Sequence, residues 1–134
     1  MTSFDKFPEI HVSHSSEGTW EGYDAIMQEI INKKNAIGKE KVIVAIDCYP
    51  GVDIDELSQH LIKPLQATKE VFMDDVYYSS EKMTEMIQYH LTDDRVFGIF
   101  SKHKLSDFFD MEKVENARKS IASMEAGIVV VYGV

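Results

Sequence analysis

Two apolar, β-branched runs constrain this chain more than anything else in it. Val42–Ile46 (VIVAI) is continuously apolar and too short for a buried helix. Residues 127–134 (GIVVVYGV) repeat the pattern at the end of the sequence. Runs of this kind, without polar alternation, predict strands covered on both faces, as in a parallel sheet. Between them the period changes. Tyr23, Ile26, Met27, Ile30 and Ile31 recur at helical spacing within a predicted helix over 19–34, and Gly38 is placed to stop it. A second helix is predicted over "DIDELSQHLIKPL", with Asp53 as N-cap, Glu56 three residues on and Pro64 closing it. Leu57, His60 and Leu61 share a face of it, and His60 and His90 read as half-buried packing residues.

"ATKEVFMDD" predicts a further strand ending in two acids. Helices are predicted over "SSEKMTEMIQYHL", capped by Ser80, and over "MEKVENARKSIASM", capped by Asp110. The intervening 91–109 holds no single period and reads as turn and short helix. Strands alternating with helices imply crossover connections. The expected class is α/β, an open parallel sheet of the doubly wound, Rossmann-like kind with helices on both faces. Residues 1–18 read as an arm with a short strand at "EIHV", and 19–134 as a single α/β domain. Stopping on an apolar strand predicts the N-terminal part of a longer protein.

The net charge of −9 disfavours nucleic acid and an anionic membrane surface, since Lys102-His103-Lys104 is the only local basic cluster. A lone Cys48 and a polar start predict a cytoplasmic protein. No His pair has metal-site spacing; His11 and His14 with Glu9 read as solvated arm residues, so no cofactor is expected in this chain.

Ligands of open parallel sheets bind beyond the carboxyl ends of the strands. The loop after the first strand, "IDCYPGVDIDEL", has the spacing of a phosphate loop (G-x-x-x-x-G-K-[ST]) but not its residues. Cys48 and Asp53 stand for the glycines, Ile54 for the lysine and Asp55 for the metal-binding hydroxyl. Asp53, Asp55 and Glu56 would offset the helix dipole and repel a triphosphate. The expectation is that ATP is not bound there and that Asp53 caps the helix instead. Weak ligand-binding candidates are Asp47, Tyr49, Gly51, Asp74, Asp75 and Tyr77. Each has a plainer reading: Asp47 as a hydrogen-bonded turn acid, Tyr77 and Tyr78 as packing or rim residues. Cys48 is read as a small buried thiol before a nucleophile at a helix start, because its acidic neighbours oppose a lowered pKa. No catalytic residue is assigned.

"VIVAIDCYPGVDIDEL", "VFMDDVYYSS" and "GIVVVYGV" resemble the first, second and third strands, with their loops, of uridine-kinase-like phosphate-loop proteins carrying a degenerate Walker A loop. "FDKFPEI", "DDRVFGIF", "LSDFFD" and "VVVYGV" resemble the N-terminal region of long bacterial proteins related to mannose-6-phosphate isomerase, in which a degenerate kinase-like domain precedes a zinc-dependent cupin domain. The resemblance implies a non-catalytic regulatory or interaction module, a homo-oligomer or a domain docked to the cupin part, and a zinc centre outside this chain. The alternative is a stand-alone small-ligand or sugar-phosphate-binding or transfer domain, with Asp47, Asp74 and Asp75 converging at the strand ends. An acidic partner-binding adaptor is a third reading.

Overall fold

A computed structural model describes residues 18–94 and 96–133. The expected arm strand at "EIHV" lies outside them. The chain runs α1 (Tyr23–Ile37), β1 (Lys41–Asp47), α2 (Ile54–Leu57), β2 (Lys69–Phe72), α3 (Ser80–Ile87), α4 (Met111–Ala122) and β3 (Gly127–Gly133). The three strands form one open parallel sheet in the order β1-β3-β2. The last strand is therefore the central one. Lys41 to Asp47 pair in register with Gly127 to Gly133, and Lys69 to Phe72 with Val129 to Tyr132.

This order explains the burial. Val129 and Val130 of β3 are fully enclosed, because both edges and both faces of the central strand are covered. Ile128, Val130 and Tyr132 share a face, on which α1 and the α2 region pack through Ile26, Ile30, Leu57, Leu61 and Ile62. Val71 and Val131 face the other way, toward Val114, Ala117 and Ile121 of α4. Each fully buried aliphatic side chain contributes about 1.5–3 kcal/mol, so Ile62, Val129 and Val130 are principal anchors. Lys41 ties the layers at one end, its Nζ donating to the Ile121 carbonyl at the end of α4 at 3.2 Å.

Several expectations need correction. β1 is not covered on both faces. Ile43 is 54% exposed and Ala45 is exposed too, because α4 spans β2 and β3 and leaves the edge strand bare. An apolar run alone does not reveal which neighbours arrive. β2 ends at Phe72, and Asp74 and Asp75 fall in a 3₁₀ turn, Met73–Val76. α1 starts at Tyr23, because Gly22 before it stands at φ +82°, outside helical geometry, and the helix continues to the left-handed cap at Gly38. His60 is exposed rather than half-buried, although its ring stacks on that of Tyr23. α3 is capped by Ser79, whose hydroxyl accepts from the Lys82 N–H, and not by Ser80.

The caps at Asp53 and Asp110 are as expected. α2 widens into a π-helical turn over Ser58–Ile62, with the Lys63 N–H donating to the Ser58 carbonyl at 2.9 Å. Pro64, which has no N–H, follows at once and ends the helix.

Candidate functional site

Two neighbouring regions at the carboxyl ends of the strands carry the predicted residues. The first is the loop after β1. The Cys48 N–H donates to the Gly133 carbonyl at 2.8 Å, which extends the ladder one residue past Asp47. The Cys48 thiol is buried. A turn follows, closed by the Val52 N–H on the Tyr49 carbonyl at 3.1 Å, with Gly51 at φ +100°. Tyr49 stands in solvent.

Asp53 then folds back on α2, its Oδ1 accepting the Glu56 N–H at 3.0 Å. The donor that would face an anion is taken by the protein's own carboxylate, and Asp55 and Glu56 fill the rest of the first turn. Tyr23, at the start of α1, sits close by. Burial pushes its hydroxyl pKa up, and the charges of Glu56 and Asp53 add to the shift. The loop thus presents negative potential where a phosphate loop presents positive.

The second region lies beyond β2. The 3₁₀ turn lifts Asp74 and Asp75 above the sheet end. Tyr77 then meets Phe109 in an isolated antiparallel bridge, their rings stacked at 4.7 Å. The Tyr78 N–H donates to the Phe108 carbonyl at 3.0 Å, and the Asp110 N–H to the Val76 carbonyl at 2.9 Å. Lys113, in the first turn of α4, donates to the Tyr77 carbonyl at 2.9 Å. Lys82 stands 4.5 Å from the centre of the Tyr78 ring.

These contacts enclose an open cavity of about 620 Å³, walled by Asp74, Asp75, Tyr78, Ser80, Phe108 and Lys113. Asp75 is also felt across the sheet end: the Tyr132 hydroxyl pKa is raised by burial first, then by the charges of Glu70 and Asp75.

Of the six candidates, Asp74, Asp75 and Tyr77 line this cavity. Asp47, Tyr49 and Gly51 do not. Asp47 ends one edge strand and Asp74 follows the other, with β3 between them. Two strand spacings of roughly 4.8 Å separate such positions. Among the described residues, no group of three or more His, Cys, Asp or Glu side chains could hold a metal ion. Sequence reasoning missed Lys113, Ser80 and Phe108. Ser80 follows Tyr77 closely along the chain, whereas Lys113 and Phe108 reach the cavity through the tertiary bridge at Tyr77–Phe109, which leaves no local signal.

Chemically, the cavity offers acceptors in two carboxylates, donors in Lys113 and the serine hydroxyls, and an aromatic wall. That set can bind hydroxyl-rich molecules. Among the described residues, no histidine or cysteine lines it.

A protein family described as a domain of unknown function, DUF8485, matches residues 22–134. The chain belongs to the DUF8485 family. The match begins one residue before α1 and takes in every helix and strand described above, so both the acidic loop and the cavity are parts of the DUF8485 domain. No curated protein and no solved structure matches the chain. No helix among the described residues is long and apolar enough to cross a membrane.

Proposed function

We propose that the chain is a non-catalytic, kinase-like domain of a protein related to mannose-6-phosphate isomerase, acting as a regulatory or interaction module. One observation carries the loss of nucleotide binding: the Asp53 carboxylate occupies the Glu56 N–H at the helix start after β1. The strand order supports the kinase-like part. In dinucleotide-binding sheets the second strand lies between the first and third, and in flavodoxin-like sheets the first strand lies between its neighbours. Here the third strand lies between the first and second, an order in keeping with a phosphate-loop kinase. The isomerase relationship rests on sequence resemblance, and in this reading the zinc centre belongs to the cupin part. Titration calorimetry with Mg-ATP tests the proposal. It predicts no heat of binding, and a micromolar dissociation constant would overturn it.

The cavity beyond β2 favours a second reading, in which the domain binds a small hydroxyl-rich ligand such as a sugar or sugar phosphate. Asp74 and Asp75 would accept ligand hydroxyls and Lys113 would approach an anionic group; Asp47 takes no part. Titration with mannose and mannose 6-phosphate tests it. Saturable binding that weakens about tenfold or more in Asp74→Asn, as loss of one charge-assisted hydrogen bond predicts, supports this reading. Equal binding by the variant removes it.

A further inference from the structure

A second hollow, of different chemistry from the cavity beyond β2, lies between α4 and the sheet. It is a groove of about 420 Å³, open along one side, whose walls include Val71, Phe109, Val114, Ile121 and Val131. That volume is in the range of small-molecule sites, about 300–1,000 Å³. The two hollows share none of their lining residues. Apart from the Ser106 hydroxyl and the Arg118 guanidinium, the lining side chains of the groove are aliphatic, thioether or aromatic. Among the described residues, no acid lines it.

Arg118 is the informative residue. Glu115 stands three positions before it on α4, a spacing at which acid and base commonly pair. Among the described residues, however, no ion pair or hydrogen bond engages the Arg118 side chain, and it lines the groove instead. Arg118 and Met111 are both exposed, which puts the charge at the rim and in reach of water. α4 turns Lys113, Asn116 and Ser120 toward the β2 edge. Met111, Val114, Arg118 and Ile121 recur at helical spacing on its other side. The groove therefore opens toward the bare face of β1, where the exposed Ala45 lies in register with Val131.

An apolar trough with one unpaired cation at its rim complements a molecule with one apolar chain and one anionic end. A neutral hydrocarbon would leave the guanidinium unpaired, and a cation would meet it with like charge. A carboxylate matches the planar guanidinium fork with two parallel hydrogen bonds. The net charge of −9 opposes a polyanion more than a single carboxylate, and screening confines that opposition to about 8 Å at physiological ionic strength. Length follows from volume. A dry cavity of about 150 Å³ accepts the six carbons of benzene. At similar packing this groove accepts a chain of roughly twelve to sixteen carbons.

We infer that the groove between α4 and the sheet binds a free fatty acid, its chain against Val114, Ile121 and Val131 and its carboxylate on Arg118. Titration of the full chain with dodecanoate, kept below the concentration at which it forms micelles, tests this. Saturable one-to-one binding is expected, with ¹⁵N-resolved shifts at the amides of Val114, Ala117, Arg118 and Val131. Each methylene contributes about fourfold in affinity, so decanoate should bind about fifteenfold more weakly. Arg118→Gln replaces an exposed side chain and should keep the wild-type circular dichroism spectrum. It should weaken dodecanoate about tenfold and leave dodecanol binding unchanged. No saturable binding, binding that appears only once micelles form, or shifts centred outside α4 and β3 would each overturn the inference. So would equal affinity of the variant for dodecanoate, or an equal loss for dodecanol, which would mean that Arg118 acts through packing and not through charge.

Discussion

Asp53 does at the start of α2 what a bound anion would do, and the consequence is measurable. Replacing an aspartate N-cap with alanine costs about 1 kcal/mol, whereas asparagine preserves the cap. Asp53→Ala should therefore lower stability to urea by about that amount, with Asp53→Asn close to wild type. Asp94 makes a second residue-scale prediction. Its carboxyl accepts the N–H groups of Val96 and Phe97, which holds its pKa below the ordinary carboxylate range. A folded-state pKa below the unfolded one contributes stability that is present above the unfolded value and lost as pH falls through the folded one. The bonds from the Val96 and Phe97 N–H groups to Asp94 should be lost only in strong acid. Carbon-detected NMR titration of the Asp94 carboxyl should give a midpoint below that of an unfolded peptide, and an equal midpoint would contradict the bonds drawn here. Gly133 is a third case. It sits at φ +140°, and a Cβ there would lie 2.7 Å from the Met73 Cβ, so Gly133→Ala should destabilise by more than 1 kcal/mol in the same urea assay.

At the scale of elements, the central position of β3 sets the order of stability. Its amides should exchange last. Ile62, fully buried where the π-helical turn meets the sheet, should lose about 2–5 kcal/mol on change to alanine. Ile43→Thr, on the bare face of β1, should stay within about 0.5 kcal/mol of wild type in equilibrium unfolding. That contrast shows what the sequence could and could not reveal. The apolar runs located β1 and β3, and Asp53 and Asp110 marked the helix starts, because period and capping are local properties. The bare face of β1 was invisible, since Ile43 and Val129 look alike in sequence and differ only in whether α4 lies above them. Ser79 and Ser80 offer the same hydroxyl one residue apart, and backbone direction decided between them. The cavity was half legible: Asp74, Asp75 and Tyr77 follow a strand, but Lys113 and Phe108 arrive through a long-range bridge.

For the molecule as a whole, the negative charge and the acidic loop act together. A net charge of −9 already discourages polyanions, and the loop after β1 concentrates that charge at the strand end where a kinase would receive its phosphates. The cavity beyond β2 is walled by other residues, so substitutions there leave the loop untouched. The most direct test of the account is a ¹⁵N-resolved NMR titration with Mg-ATP, followed at the amides of Gly51, Ile54, Asp55 and Glu56. The account predicts that these resonances do not move at millimolar nucleotide. Saturable shifts there, with the Glu56 amide among them, would mean that the Asp53 cap yields to phosphate and would contradict it.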